Sequence, residues 1–142
     1  MNQLLTRSCL RYAYLQMIVG TGVDLCEVAR IEKAIQSSHG RRLVERVFTE
    51  REAAYAQSKA NPYERYAARF AAKEAGMKAL GTGWRNGISW RDFEVANLPS
   101  GRPTLQLSGK AAEIARKLGV NRIALSLTHT AAQALAMVIL ES

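Results

Sequence analysis

Asn61-Pro62-Tyr63-Glu64-Arg65-Tyr66-Ala67-Ala68-Arg69-Phe70-Ala71-Ala72-Lys73-Glu74-Ala75-Gly76-Met77-Lys78-Ala79-Leu80-Gly81 is the stretch whose reading decides the fold. Asn is a strong N-cap, and Pro at the next position is pre-set for a first helical residue and has no needed N–H to lose. The alanine-rich run behind them is a good helix former, and Gly81 is its C-terminal stop. The spacing predicts one long helix from Pro62 to Leu80. Phe70, Glu74 and Lys78 fall at i, i+4 and i+8 and share a face; Lys73 stands one residue round from Glu74. An exposed Glu–Lys pair worth roughly 0.2–0.5 kcal/mol accounts for that spacing. Two details go beyond it. Gly76 costs about 1 kcal/mol relative to Ala in a helix, so its presence predicts that another segment approaches closely there. And after Glu64 the helix carries one acid only, Glu74.

Upstream, residues 17–23 read as a buried apolar strand with glycines at 20 and 22, which mark close approach by a backbone or ligand. The strand ends on Asp24. Residues 27–37 are helical, with Val28, Ile31 and Ile35 on one stripe. His39-Gly40 ends that helix, and residues 41–48 form another turn or two. Thr49-Glu50-Arg51-Glu52 is a capping box that opens the next helix. Downstream, Gly81-Thr82-Gly83 and Asn86-Gly87 make a loop. Residues 88–95 and 104–107 read as strands around the turn at 97–103. Ser108 caps a helix ending near Leu118-Gly119, and residues 122–128 and 134–140 form two closing strands. The order is α+β: a small antiparallel sheet packed with a long central helix and shorter helices, one domain over residues 17–142. Residues 1–16 hold no acid and read as a peripheral N-terminal extension, either ahead of a start at Met17 or as a weak amphipathic helix.

The bulk properties bound the function. The chain has 142 residues, 48% of them hydrophobic and 23% charged, enough for one folded core. The net charge of +8 predicts attraction to anions: nucleic acid, an acidic protein or a phosphate-rich small molecule. Two cysteines, Cys9 and Cys26, without a CxxC or a Cys/His cluster, argue against structural zinc and read as free thiols of a cytoplasmic protein. No apolar run approaches the ~20 residues of a membrane span, and no secretory signal is evident.

Asp24 and Glu74 are two acids on two rigid elements, with Lys73 and Lys78 beside one of them. Mg²⁺ takes few protein carboxylates, several waters and substrate phosphate oxygens. Asp24 and Glu74 suit that pattern, while a plain helix cap at Asp24 accounts for that residue alone. His129, at the end of Ser126-Leu127-Thr128-His129-Thr130, reads as a structural histidine or as a phosphate or hydroxyl contact. Gly81 and Gly83 read as a helix stop or as a phosphate cradle. Arg30, Arg41, Arg42, Arg46 and Arg51 lie in one helical stretch. They make a solvated face or a dock for an acidic protein, since Arg pairs bidentately with carboxylates.

Taken together, these segments resemble holo-[acyl-carrier-protein] synthase, the small bacterial type of 4′-phosphopantetheinyl transferase. The resemblance rests on Gly22-Val23-Asp24 with Glu27 and Arg30, and on Arg69-Phe70-Ala71-Ala72-Lys73-Glu74-Ala75 with Lys78. Phe48-Thr49-Glu50-Arg51-Glu52, residues 79–83, Gly101-Arg102-Pro103 and residues 126–130 support it. It implies transfer of phosphopantetheine from coenzyme A to a serine of an acidic acyl carrier protein, in fatty acid biosynthesis, with release of adenosine 3′,5′-bisphosphate. It also implies a homotrimer with active sites between protomers. On this reading Asp24 and Glu74 hold Mg²⁺, and Lys73 and Lys78 contact phosphate oxygens. Glu74, or a water on the metal, takes the serine proton. His129 and the Gly101-Arg102-Pro103 turn hold the adenosine end, and Arg30 docks the carrier. The rivals are a basic nucleic-acid-binding module and a non-catalytic coenzyme A binder. The first leaves two acids in basic surroundings unexplained and lacks spaced aromatic platforms.

Overall fold

The computed structural model describes residues 17–142; the N-terminal extension lies outside them. Strand β1 (Ile18–Glu27) leads into helices α1 (Val28–Gln36), α2 (Gly40–Val47), α3 (Glu50–Gln57) and α4 (Pro62–Leu80). A 3₁₀ turn (Trp90–Asp92), strands β2 (Phe93–Asn97) and β3 (Pro103–Leu107), helix α5 (Gly109–Lys117) and strands β4 (Arg122–His129) and β5 (Gln133–Glu141) follow. β1, β5 and β4 form an antiparallel sheet in that order, and β2–β3 is a separate hairpin. The α+β reading and the long central helix are what the structure contains.

α4 begins and ends as its sequence dictates. The Asn61 side chain accepts from the Tyr63 N–H, Pro62 occupies the first turn, and Gly81 takes the left-handed conformation with φ 73°. Its small side chains let the helix be buried on two sides at once. Ala67, Ala71, Ala72 and Ala75 are fully buried. On one side β1 comes so close that a Cβ at Gly20 would fall on the Ala79 carbonyl oxygen, and one at Gly22 on that of Ala75. On the other side a Cβ at Gly76 would lie 2.9 Å from Phe93 Cδ1 and 3.1 Å from Leu105 Cδ2. The costly glycine in α4 is there because the hairpin packs on it.

Three local expectations are corrected. Residues 88–92 are not strand: Ser89 and Asp92 cap one another, with Ser89 N to Asp92 Oδ2 at 3.2 Å and Arg91 N to Ser89 Oγ at 3.3 Å. That local box outweighs the strand preference of Ile88 and Trp90. Ser108 does not cap α5 with its side chain; Asp92 Oδ2 accepts the Ala111 N–H instead, at 3.3 Å. β1 is longer than expected and not buried on both faces. Gly22 and Cys26 turn to α4, whereas Val23 and Leu25 point out and are more than half exposed. Leu135 and Met137 on the adjacent β5 also point out. The sheet therefore presents an apolar outer face where a solvated antiparallel sheet would be polar.

Candidate active site

The inward face of β1 carries Asp24 against α4 at the level of Glu74 and Lys78. β1 runs antiparallel to β5 with Asp24 opposite Ala136, a buried residue that lets the acid lie against the helix. Lys78 Nζ donates to Asp24 Oδ1 at 3.1 Å and to the Val23 carbonyl at 3.0 Å. The Asp24 side chain is nearly buried, whereas Lys78 is over half exposed. Burial and then the neighbouring Asp24 charge push the Glu74 carboxyl above its ordinary range, while Lys78 and Arg30 pull it back. Two carboxylates thus repel one another in a half-dry site, a condition that a divalent cation relieves. Among the described residues no group of three or more His, Cys, Asp or Glu side chains could hold a metal ion.

Arg30, on the first turn of α1, belongs to the same cluster. Its guanidinium lies 5.9 Å above the Phe70 ring, and Phe70 precedes Glu74 by one helical turn. Cys26 sits on the same inward face of β1. Burial above all pushes its thiol up to about 11, so at neutral pH it is not a nucleophile.

Lys73 is a correction. It is wholly buried on the face of α4 that meets the hairpin, about 100° round from Glu74, with its ammonium 2.8 Å from Glu52 Oε2. It also donates to the Trp90 carbonyl at 3.2 Å and to the Phe93 carbonyl. All three of its hydrogens are taken, so it has neither the exposure nor a spare donor for a phosphate. Glu52 accepts in addition from Thr49 N at 2.8 Å and Val95 N at 2.7 Å. The capping box read at Thr49–Glu52 is present, and its glutamate also anchors the central helix. Only an acid in a capping box followed by a lysine on a buried face hinted at that pair.

Of the two readings of Gly81, the helix stop is what the structure contains. Its N–H turns back to the Lys78 carbonyl at 3.0 Å, as a helix stop requires. Gly83 follows in an exposed loop with φ 52°. His129 is not near Glu74 in one chain. Its Nδ1 is 3.3 Å from Glu64 Oε2 and its Nε2 2.7 Å from Arg65 Nη1. Arginine only donates, so Nε2 accepts and the ring hydrogen is on Nδ1. Glu64 precedes Glu74 by ten residues, roughly 15 Å along the helix. The Gly101-Arg102-Pro103 turn is tied elsewhere: Asn97 Nδ2 donates to the Gly101 carbonyl at 3.1 Å, and Arg69 Nη2 donates to Asn97 Oδ1 at 3.0 Å. Arg69 is buried, its guanidinium 4.0 Å from the Tyr55 ring centre, and its Nε has no partner among the described residues. It lines a cavity of about 260 Å³ with Tyr55, Glu94 and Asn97. The chain therefore holds the predicted site residues in separate places: the Asp24–Glu74–Lys78–Arg30 cluster, the Arg69–Asn97–Gly101 corner, and His129 against Glu64 and Arg65.

The chain belongs to the 4′-phosphopantetheinyl transferase superfamily, whose family model matches residues 20–137. It is 64% identical over 126 residues to the holo-[acyl-carrier-protein] synthase of Solibacter usitatus, a match covering 89% of this chain and 100% of that protein. Its fold is similar to that of the Neisseria meningitidis holo-[acyl-carrier-protein] synthase, with a TM-score of 0.80 and 30% identity over 89% of this chain and 100% of that one. The Bacillus anthracis synthase in complex with CoA (3′,5′-ADP) matches with a TM-score of 0.73 and 38% identity, covering 89% of this chain and 98% of that one.

Proposed function

We propose that this chain transfers 4′-phosphopantetheine from coenzyme A to a serine of an apo-acyl carrier protein. The serine Oγ forms the new bond to the phosphorus on the pantetheine side of the pyrophosphate. The anhydride bond breaks, and adenosine 3′,5′-bisphosphate departs with the negative charge. The observation that carries this reading is the Asp24–Glu74 pair flanked by Lys78 and Arg30 on two rigid elements. Phosphoryl transfer needs positioning and charge neutralisation more than a protein nucleophile. Asp24 and Glu74 would hold Mg²⁺, which when bound neutralises charge on the pyrophosphate. Lys78, exposed and tied to Asp24, lies within reach of the same anion. Glu74, or a water beside it, receives the serine proton. Lys73 is left out of this machinery.

The second half-site takes the adenosine end: His129 and the Gly101-Arg102-Pro103 turn, which buried Arg69 braces through Asn97. The distance between the half-sites in one chain supports assembly of each site from two protomers of a trimer. The apolar outer face of β1 and β5 supports the same arrangement, since exposed Val23, Leu25, Leu135 and Met137 make a contiguous surface for another copy. Arg30 and its basic neighbours receive the acidic carrier. No helix among the described residues is long and apolar enough to cross a membrane.

The test incubates the protein with coenzyme A, Mg²⁺ and a bacterial apo-acyl carrier protein, and reads the carrier's intact mass with and without chelator. A gain of one phosphopantetheine that chelator abolishes is expected. No gain, with the carrier competent towards another transferase, refutes the reading.

A further inference from the structure

The face of α4 that meets the hairpin carries two buried cations one turn apart, Arg69 and Lys73. Each ties the helix to β2. Lys73 donates to the Phe93 carbonyl, and its partner Glu52 accepts from Val95 N at 2.7 Å. Arg69 Nη2 donates to Asn97 Oδ1 at 3.0 Å. The first tie is sealed in the core; the second stands where β2 runs out into the turn at 97–103. Asn97 Nδ2 donates onward to the Gly101 carbonyl at 3.1 Å. That oxygen belongs to the Gly101–Arg102 peptide, whose N–H rests on Ser100 Oγ at 3.4 Å. Gly101 has φ 87°, a left-handed position where glycine leaves the peptide free to turn unless something holds it. Arg102 is exposed on the turn, and no ion pair among the described residues involves it. An amide suits position 97 because it accepts and donates at once. A carboxylate there would accept from Arg69 but repel the Gly101 carbonyl.

We infer that Asn97 is a positioning residue for the donor: it fixes the Gly101–Arg102 peptide against α4 and so aims the Arg102 guanidinium at the adenosine bisphosphate end of coenzyme A. This rests on the transferase reading above, which gives that end to the turn. The turn's own backbone bonds, Leu98 N to the Arg102 carbonyl at 2.9 Å and Gly101 N to the Leu98 carbonyl at 2.8 Å, shape the loop without tying it to the helix. The tie runs through the Asn97 side chain. A long cation on a loop loses backbone and rotamer freedom when it grips a phosphate, and a peptide fixed beforehand removes the backbone share of that cost. Asn97 acts in this way without touching the donor.

The experiment is steady-state transfer by the full chain, varying coenzyme A at saturating apo-carrier and then the reverse, with binding of adenosine 3′,5′-bisphosphate followed by calorimetry. Asn97→Ala is expected to raise the coenzyme A KM and the bisphosphate Kd about fivefold, the size of one lost hydrogen bond, with kcat and the carrier KM unmoved. Arg102→Ala is expected to raise the same two constants. In that background Asn97→Ala should add less than about twofold, because the side chain it aims is gone. An unchanged coenzyme A KM in Asn97→Ala overturns the inference. An effect equally large in both backgrounds also overturns it, since the amide then acts on the donor without Arg102. A loss of kcat together with a rise in the carrier KM marks a general loosening of the hairpin and overturns it as well. Absence of transfer by the parent protein overturns the functional reading and this inference together, whereas parental transfer with an indifferent Asn97 sinks the inference alone.

Discussion

Replacing Lys73 separates a buried structural role from a catalytic one. The ammonium sits in the core against Glu52 Oε2 at 2.8 Å and two carbonyls. Lys73→Met removes the cation and keeps most of the volume. It leaves the Glu52 carboxylate buried with only its two backbone donors, Thr49 N and Val95 N, and orphans the carbonyls of Trp90 and Phe93. Breaking a buried pair from one side costs about 3–5 kcal/mol, a large part of the ~5–15 kcal/mol that holds a domain of this size together. Glu52→Gln/Lys73→Met removes both charges, while the amide oxygen still accepts from one of the two backbone donors. The double variant is therefore expected to recover about 2 kcal/mol or more over Lys73→Met, a coupling within the range of contacting residues. The assay is urea unfolding followed by far-UV circular dichroism at matched protein concentration, since assembly shifts apparent stability. Transfer by the folded variants is measured alongside. If Lys73→Met unfolds at the parental midpoint yet no longer transfers phosphopantetheine, Lys73 reaches the substrate and the buried-anchor argument is wrong.

Three further outcomes are expected. Glu74 binds a proton more readily in the folded chain than in the unfolded one, so in chelator its contribution makes the fold less stable as pH rises through its raised folded pKa. Glu74→Gln should then melt higher than the parent near pH 7 in chelator, and the gap should close as pH falls through the carboxylate range. Added Mg²⁺ should raise the parent's midpoint and not the variant's; equal melting curves at every pH would count against a strained carboxylate pair. Gly22→Ala puts a Cβ onto the Ala75 carbonyl oxygen, an overlap that only backbone movement relieves, and should cost about 1–3 kcal/mol or more. Parental stability by urea unfolding would show that β1 and α4 are looser than their packing implies. Deleting residues 1–16, which precede the family match at residues 20–137, should leave kcat and both KM values within about twofold, an effect as small as that of most changes outside functional features, and a truncation that neither folds nor transfers would make the extension structural.

What the sequence discloses of this protein follows the range of its interactions. The ends of α4 were legible because Asn61, Pro62 and Gly81 act on their own backbone within a turn. The close approaches at Gly22 and Gly76 were legible because glycine in a strand or helix has a cost that something must offset. The pairing of Asp24 with Glu74 was legible only as chemistry: 50 residues of chain separate them, and nothing local says that β1 lies on that face of α4. Lys73 marks where this kind of reading fails. Side by side in sequence, Lys73 and Glu74 stand about 100° apart on the helix. One turns to the hairpin and the core, the other to β1 and the site. Which of them meets solvent is decided by β2 and the 3₁₀ turn, whose place depends on the Ser89–Asp92 box and on Glu52 reaching across from α3. A lysine beside a candidate catalytic acid therefore predicts nothing until the partner on its far side is known, and here that partner is a carboxylate with every acceptor position turned inward. The same geometry explains the separation of the half-sites. α4 is a rod about 28 Å long, with His129 fixed to its first turns by Glu64 and Arg65 and Asp24 fixed to its last turns by Lys78. On the proposed reading, a ligand that needs both ends of such a rod at one point is held by two copies, and the apolar face of β1 and β5 is the surface that reading gives to the second copy.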